Sequence, residues 1–229
     1  MGKVGTGARQ AERIQQIIES LERLHGRPRF IPRFDPMDEL ISCILSQHTN
    51  DARSFPTFTH LRETYPTWKS LADAPVEGVA RCIQGAGLSN QKSKWIKACL
   101  QRIHAHAGEY DLGFLRQMSD AEARKWLEQL PGVGPKTSCI VLCFALGREV
   151  IPVDTHVHRT SIRLGVIEPA VNEQRAHDLL PSFVPNGWSF RYHVTLIQHG
   201  RTTCRAQRPL CSECLVADLC PRIGVQLSA

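Results

Sequence analysis

The chain has 229 residues, of which 42% are hydrophobic, so it can bury the core of one large domain or two small ones. The longest apolar run, residues 139–146, is too short to cross a bilayer, and the N-terminal residues lack the apolar stretch of a secretory signal. We therefore expect a soluble, cytoplasmic protein that is not bound to a membrane. The formal net charge of +6 favours a polyanionic partner such as nucleic acid.

Apolar residues recur at helical spacing along most of the chain, and no run alternates in the manner of a β-strand. The first predicted helix, residues 8–25, carries one apolar stripe made of Ile14, Ile17, Ile18, Leu21 and Leu24. Further helices are predicted at about 36–48, 52–65, 75–84, 90–106, 119–130, 155–164, 172–183 and 190–199. Ser119 and Glu122 have the spacing of a capping box at the start of one of them. The loops are short, so the sequence predicts an all-α fold.

Residues 130–138, Leu-Pro-Gly-Val-Gly-Pro-Lys-Thr-Ser, connect two predicted helices. Gly132 and Gly134 permit a tight turn whose backbone can approach a ligand closely. Pro135 suits the first position of the following helix, since the N–H that it lacks has no partner there anyway. The free N–H groups of the turn and the helix start predict an anion site, for which a DNA phosphate is the candidate. A lone Gly-x-Gly would indicate only a turn, but the nine-residue pattern is specific.

Lys136 falls in the first turn of the helix after this hairpin. The helix dipole makes a positive charge unfavourable there, so the position indicates a role other than helix stability. A lysine that readily gives up its proton can attack carbon as a nucleophile. The alternative is a lysine that only contacts a phosphate.

Asp154 stands immediately before another predicted helix, where aspartate is a preferred N-cap. Capping would also hold the carboxylate in a fixed position, so a chemical role is compatible with it. His156 and His158 lie close by, but no neighbouring residue completes a metal-ligand pattern with them. We therefore expect these histidines to be packed or solvated.

Four cysteines occur in the pattern Cys204-x6-Cys211-x2-Cys214-x5-Cys220. Four thiolates so close in sequence can surround one metal centre, because short loops are easily closed. A disulfide knot is the alternative, but it is disfavoured in a reducing cytosol. Zinc and a [4Fe–4S] cluster both take four thiolates, and the uneven spacing favours the cluster. The remaining five cysteines lie in apolar helical segments and are expected to be small buried side chains.

Together, the hairpin, the segment Val153-Asp154-Thr155-His156 and the four-cysteine pattern resemble the endonuclease III family of DNA glycosylases, a branch of the helix-hairpin-helix superfamily. The resemblance covers residues 8–220 and implies a [4Fe–4S] cluster held by the four cysteines. It also implies two helical domains. Residues 29–147 would form a six-helix barrel with the helix-hairpin-helix motif, and residues 1–28 and 148–229 an iron–sulfur cluster domain. DNA would lie in the cleft between them.

The resemblance implies catalytic roles for Lys136 and Asp154. In this family the matching lysine attacks C1′ of a flipped, damaged nucleotide, and the matching aspartate stabilises positive charge on the sugar and helps to activate the amine. Base loss builds oxocarbenium-like charge, which a fixed carboxylate favours. The Schiff base then acidifies C2′ and permits β-elimination of the 3′ phosphate. The implied enzyme is a bifunctional DNA glycosylase and abasic-site lyase that excises oxidised pyrimidines from duplex DNA.

The resemblance also implies a set of DNA contacts. Family members fill the gap left by the flipped base with side chains from two loops, and the matching positions are His48 and Leu88. From the residues alone, a leucine after a glycine is more often part of a core. The hairpin and the cysteine loop would bind the DNA backbone through Gly132, Val133, Gly134, Thr137, Arg205 and Arg208.

The chain departs from the family pattern in three places. His48 stands where close relatives commonly have Gln, and Pro135 where they often have a basic residue. Residues 108–119 also form a longer segment than in compact members. These departures leave the chemistry intact and leave the substrate range open.

Three rival functions compete with this interpretation. The adenine-mismatch glycosylases share the cluster and the aspartate but generally lack the hairpin lysine and have a further C-terminal domain. Lys136 also argues against a monofunctional uracil- or thymine-mismatch glycosylase. A metal-stapled DNA-binding module without catalysis would require neither Lys136 nor Asp154. We therefore expect a monomeric base-excision repair enzyme that acts on double-stranded DNA with damaged bases or abasic sites, at the nucleoid if the source is prokaryotic.

Overall fold

The computed structural model describes residues 4–226, and for residues 4–8 and 51 it describes the backbone alone. This part of the chain is helical and contains no β-strand. The predicted all-α fold is therefore confirmed. None of the helices in this part combines the length and the apolar character that crossing a membrane requires.

The described residues form eleven α-helices. Their bounds are α1 Val4–His25, α2 Pro36–Ser46, α3 Asp51–Thr64, α4 Trp68–Asp73, α5 Val76–Cys82, α6 Ser89–Ala107, α7 Asp120–Leu127, α8 Pro135–Ile140, α9 Thr155–Arg163, α10 Glu173–Leu179 and α11 Ser189–Thr202. Short 3₁₀ turns lie at Gln84–Ala86, Gly113–Gln117, Leu180–Ser182, Cys211–Glu213 and Ala217–Leu219, and a π-helical turn at Val141–Ala145 extends α8.

The predicted helices are present, with ends shifted by a few residues. The predicted capping box is formed, because the Ser119 hydroxyl accepts from the Glu122 N–H and the Glu122 carboxylate accepts from the Ser119 N–H. The sequence does not predict α4, because its six residues are too few to show periodicity. A second capping box, between Thr67 and Ser70, stabilises the N-terminus of α4.

The chain folds into two compact units. Residues up to Ile31 and residues from Gly147 onward form one unit, which we call the terminal unit. Residues Pro32–Leu146 form the other, which we call the central unit. The terminal unit contains α1 and α9–α11, and the central unit contains α2–α8.

The core of the terminal unit forms around the apolar stripe of α1. The first four residues of the predicted stripe are buried and pack in one hydrophobic cluster with side chains of α9, α10 and α11. Leu24, predicted as the fifth member, is 50% exposed. This part of the prediction is therefore wrong. Leu24 is exposed because it lies at the edge of the stripe and in the last turn of α1.

A buried ion pair joins α1 to α11. The Arg191 guanidinium donates from Nε to Glu22 Oε1 (2.8 Å) and from Nη2 to Glu22 Oε2 (2.7 Å), so the pair is bidentate. The same guanidinium lies over the Trp188 ring, 3.6 Å from its centroid. Because both charged residues are buried, loss of one partner would leave an uncompensated charge inside the protein.

Helix α2, the first helix of the central unit, is largely buried. Four of its apolar residues are fully buried: Leu40, Ile41, Ile44 and Leu45. The Asp35 carboxylate caps its first turn by accepting from the Asp38 N–H (2.9 Å). The helix packs against α3, α6 and α8 and ends at Ser46. Because α2 is buried, the position of its C-terminal end, from which residues 47–50 continue, is fixed.

Replacement of Arg191 by methionine is expected to lower the free energy of unfolding by about 3 kcal/mol, because the buried Glu22 carboxylate loses its bidentate partner. Arg201→Met, at an exposed position of the same helix, is the matched control and is expected to change it by less than about 0.5 kcal/mol. Urea denaturation followed by circular dichroism measures both. Equal stabilities of the two variants would show that the ion pair makes no net contribution.

Candidate functional site

The predicted hairpin lies between α7 and α8. The Val133 N–H donates to the Leu130 carbonyl (3.1 Å) and closes the turn. Gly132 has φ +77°, in the left-handed region, whereas Gly134 has φ −112° and an extended backbone. Only the first of the two predicted glycines is therefore required by backbone conformation. No atom lies within 4 Å of the point where a Cβ on Gly134 would stand, so this part of the hairpin backbone is open to a ligand.

Side chains on one face of α6 contact the hairpin and the residues just before it. The Trp95 ring lies so close to Gly132 that a Cβ there would meet ring atoms at 2.6 Å. The Cys99 Sγ donates to the Pro131 carbonyl (3.4 Å), and the Arg102 guanidinium donates to the Gln129 carbonyl. Residues 95, 99 and 102 follow one another at helical spacing and so share this face of α6.

Lys136 is exposed and lies in the first turn of α8, directly after Pro135. Two other predicted contact residues in the hairpin, Val133 and Thr137, have buried side chains. A ligand would therefore meet their backbone and not their side chains. The Gln47 side chain contacts the same region, because its Nε2 donates to the Gly132 carbonyl (2.7 Å).

The two residues predicted to fill the gap in DNA share an unusual backbone conformation. His48 has φ +53° and Leu88 has φ +48°, and both residues are exposed. Leu88 is 57% exposed, so the alternative that it belongs to a core is wrong. A left-handed conformation costs a non-glycine residue roughly 1 kcal/mol or more. Such strain persists where the surrounding structure enforces it, and it concentrates at functional sites.

Strained backbone coincides with the predicted DNA contacts more widely. In residues 4–226, four residues other than glycine have positive φ, namely His48, Leu88, Arg208 and Arg222. Three of these four are predicted DNA contacts. Arg205, the other predicted arginine, is exposed and donates from Nε to the Thr202 carbonyl (2.8 Å).

Lys92 and Gln47 are functional candidates that the sequence analysis missed. The Lys92 side chain is buried, and its ammonium donates to the carbonyls of Leu45, Gln47 and Ala86. A signal for it existed in the sequence, because Lys92 stands one turn before Ile96 on the apolar face of α6. A lysine on an apolar face is buried only with partners for its charge.

In the terminal unit, Asp154 is the N-cap of α9, as predicted. Its Oδ1 accepts from the N–H groups of His156 (2.9 Å) and Val157 (2.8 Å). One oxygen makes both cap hydrogen bonds, which leaves Oδ2 for another partner. The carboxylate is half-buried, so it is both fixed and accessible.

The two histidines of this helix are packed, as predicted. His158 Nε2 lies 2.7 Å from the Val171 carbonyl oxygen. His156 Nδ1 lies 3.3 Å from Nη2 of Arg159. One nitrogen of each ring is therefore engaged within the terminal unit.

The four cysteines of the C-terminal pattern line one cavity, and none of them forms a disulfide. Four cysteine thiolates around one cavity are the usual ligand set of a [4Fe–4S] cluster, and zinc takes the same set. The donor set therefore fits a [4Fe–4S] cluster.

Hydrogen-bond donors from the protein point at the cysteine sulfurs. The Arg222 N–H donates to Cys220 Sγ (3.4 Å), and Arg163 Nη1 donates to Cys204 Sγ (3.5 Å). Burial raises the pKa of the Cys214 and Cys220 thiols. A bound cation overcomes this effect, because a coordinating thiol is deprotonated outright.

The cysteine loop is held in place by a buried arginine. Arg163 Nη1 donates to the Arg205 carbonyl (2.6 Å), and its Nη2 donates to the Ala206 carbonyl (3.0 Å). Arg159 Nη2 donates to the carbonyls of Gly200 (2.9 Å) and Cys204 (3.0 Å). Two guanidinium groups from α9 thus fix the backbone at and next to Cys204.

Residues 41–185 match the model of the HhH-GPD superfamily of base excision DNA repair proteins. The chain belongs to this superfamily. Residues 204–220 match the iron–sulfur binding domain of endonuclease III. This second match begins at Cys204 and ends at Cys220, so it contains all four cysteines of the predicted cluster site.

Individual relatives define the branch of the superfamily. Endonuclease III of Escherichia coli K12 is 35% identical over 186 residues, which cover 81% of this chain and 83% of that protein. A protein of Arabidopsis thaliana is 29% identical over 191 residues, which cover 82% of this chain, and the chain spans 65% of the plant protein's length. A solved structure of a trapped endonuclease III–DNA covalent intermediate matches with a TM-score of 0.75 and 27% identity, over 93% of this chain and 96% of that one.

These similarities confirm that the chain is a member of the endonuclease III family. As a member, it is a DNA glycosylase of base excision repair, and abasic-site lyase activity is typical of the family. The predicted [4Fe–4S] cluster is also confirmed. The roles of individual residues at the site stay predictions.

Gly132→Ala is expected to lower the free energy of unfolding by about 2–3 kcal/mol, because the new Cβ would meet the Trp95 ring and because φ is positive there. Gly134→Ala is the matched control, since φ is negative and no atom is near; it is expected to change stability by less than about 0.5 kcal/mol. Thermal and urea denaturation of both variants measure the difference. Equal loss of stability would show that the hairpin does not rest on Trp95.

Proposed function

We propose that the chain is a bifunctional DNA glycosylase and abasic-site lyase that removes oxidised pyrimidines from duplex DNA. The observation that carries the proposal is the placement of Lys136. It is exposed in the first turn of α8, immediately beyond a hairpin whose backbone is open at Gly134. A cationic side chain at that end of a helix does not contribute to helix stability, so its position favours a chemical role.

In the proposed mechanism, the Lys136 amine attacks C1′ of the damaged nucleotide and the base departs with the bonding electrons of the glycosidic bond. The amine loses a proton, and the opened sugar remains attached as a Schiff base. The positive iminium nitrogen acidifies the C2′ hydrogen, and removal of that proton expels the 3′ phosphate. Water then hydrolyses the imine and frees the lysine.

Asp154 supplies the negative charge that this reaction requires. As the glycosidic bond breaks, positive charge develops on the sugar, and a preorganised carboxylate stabilises that charge. The two N–H groups that bind Oδ1 hold the carboxylate at the start of α9, and Oδ2 remains to face a substrate. A fixed group of this kind needs no reorganisation as the charge appears.

The partner is double-stranded DNA that contains damaged bases or abasic sites, bound by a monomer. His48 and Leu88 would fill the space that the flipped nucleotide leaves, since both are exposed at the tips of loops with an enforced backbone conformation. The hairpin N–H groups and the guanidinium groups of Arg205 and Arg208 would bind phosphates. The positive net charge of the chain favours the same partner.

The two compact units correspond in this proposal to the two domains of the family. The central unit is the barrel domain with the helix-hairpin-helix motif, and the terminal unit is the cluster domain. The cluster is held by Cys204, Cys211, Cys214 and Cys220 and has a structural role, because it orders the loop that carries Arg205 and Arg208. Removal of the cysteine ligands would therefore disorder the proposed phosphate contacts.

Lys136→Gln is expected to bind duplex DNA with nearly unchanged affinity and to lose strand cleavage at abasic sites, because glutamine cannot form a Schiff base. Borohydride trapping on duplexes that contain thymine glycol, uracil or an abasic site measures the covalent complex directly. Lys125→Gln, at an exposed position of α7, is the matched control and should trap like the wild type.

The trapping pattern also separates the rival functions. A covalent complex on thymine glycol, absent in Lys136→Gln, supports both the mechanism and the substrate class. Trapping at the abasic site alone supports the lyase and refutes the proposed base specificity. Wild-type strand cleavage by Lys136→Gln would refute the assignment of the nucleophile.

Asp154→Asn is expected to slow base excision by about a thousandfold, which corresponds to roughly 4 kcal/mol of transition-state stabilisation. Asparagine is as good an N-cap as aspartate, so the stability of the protein is expected to remain the same. Single-turnover excision kinetics and thermal denaturation, measured together, test both statements. A wild-type excision rate in this variant would reduce Asp154 to a helix cap.

A further inference from the structure

One buried lysine in the central unit binds two separate loops. Lys92 is 0% exposed, and its Nζ donates to the carbonyls of Leu45 (2.7 Å), Gln47 (2.7 Å) and Ala86 (2.8 Å). An ammonium has three N–H donors, so these three hydrogen bonds use its full capacity. Burial lowers the pKa of the Lys92 amine, and the three carbonyl oxygens are the partners that a buried ammonium requires.

The three carbonyls come from the two segments that carry the candidate gap-filling residues. Leu45 lies in the last turn of α2 and Gln47 follows that helix, so the second carbonyl immediately precedes His48. Ala86 ends the 3₁₀ turn Gln84–Ala86, two residues before Leu88. Carbonyls at helix ends lack intrahelical partners and carry partial negative charge, which makes them suitable acceptors for a cation.

Both loops adopt a strained conformation directly beyond the carbonyls that Lys92 binds. The backbone turns into the left-handed region at His48 (φ +53°) in one loop and at Gly87 (φ +67°) and Leu88 (φ +48°) in the other. Strain of this kind persists only where the surrounding contacts enforce it. Lys92 hydrogen-bonds to the backbone of both loops.

We propose that Lys92 is a positioning residue for base flipping, which fixes the separation and the backbone conformation of the His48 and Leu88 loops so that both side chains enter the DNA together. This inference rests on the proposed function, in which those two side chains fill the gap left by the flipped nucleotide. Lys92 itself is buried and does not touch DNA. Its effect is preorganisation, since a loop that is already ordered loses less entropy on binding.

The frame that Lys92 builds extends to the catalytic hairpin. Gln47 gives its carbonyl to Lys92, and its side chain donates from Nε2 to the Gly132 carbonyl (2.7 Å). A single residue therefore links the His48 loop to the turn that precedes Lys136. The gap-filling loops and the hairpin are held in one hydrogen-bonded frame within the central unit.

The same helix offers a matched control for the proposal. Lys97 of α6 also donates to two main-chain carbonyls, that of Ala72 in the last turn of α4 and that of Ala74 in the loop that follows. No candidate DNA contact lies in that loop. Lys92→Met and Lys97→Met therefore remove the same chemistry from one helix, and only the first removes it from the DNA-contacting loops.

The test is a mutant cycle on single-turnover excision of thymine glycol from duplex DNA. Lys92→Met is expected to reduce the excision rate by about thirtyfold in the wild-type background, and by less than about threefold when His48→Ala and Leu88→Ala are both already present, because coupled residues are not additive. Lys97→Met is expected to change the rate by the same small factor in both backgrounds. Fluorescence of 2-aminopurine opposite the lesion, which reports the flipping step, should slow with Lys92→Met in parallel.

Equal effects of Lys92→Met in both backgrounds would overturn the inference, because Lys92 would then act through general stability. Wild-type excision by both His48→Ala and Leu88→Ala would instead refute the gap-filling roles in the proposed function, and the inference would fall with them. If Lys92→Met does not fold, the same cycle with Lys92→Gln, whose amide retains two N–H donors, decides between these outcomes.

Discussion

Helix α6 supplies hydrogen-bond donors to each segment of the central unit that is a candidate for contact with DNA, and the position of these segments depends on those bonds. A loop at a protein surface has backbone carbonyls without partners, and burial of such a group costs free energy unless a donor reaches it. Lys92, Cys99 and Arg102 are the donors, and each binds a carbonyl outside α6. The loops are therefore irregular in conformation but fully specified in position.

Side chains on a helix also donate to main-chain carbonyls around the cluster site of the terminal unit. Arg159 and Arg163 lie on α9 and donate to the carbonyls of Cys204 and Arg205, which lie outside regular secondary structure. In both units a cation on a helix face binds a series of main-chain oxygens. This arrangement places a buried positive charge where several partial negative charges already converge, so the cost of desolvation is offset locally.

The amino-acid sequence predicts those features that depend on local rules. The α1 stripe, the Ser119 capping box and the Asp154 cap each follow from residues that are neighbours along one helix. The four cysteines belong to the same class, because their spacing alone brings them together. Two local predictions fail for simple reasons: Leu24 lies at the edge of its stripe, and α4 is too short to show a period.

The features that the sequence does not predict depend on contacts between distant segments. Leu88 is typical of a core residue by composition, and its exposure follows only from the way the preceding turn meets α6. Lys92 makes hydrogen bonds to residues more than forty positions away along the chain. Local patterns carry no information about such partners, so the support of the candidate site becomes visible only in the folded chain.

Because Lys92 binds carbonyls and not side chains, it constrains the path of the two loops and leaves their chemical identity free. The oxygens belong to Leu45, Gln47 and Ala86, so exchange of His48 or Leu88 for a residue that accepts a positive φ would not remove any of them. An insertion or deletion in either loop would move the oxygens themselves and would disrupt it. Diversification of such an enzyme towards new lesions can therefore proceed by point substitution at the loop tips, on a scaffold whose loop lengths stay constant.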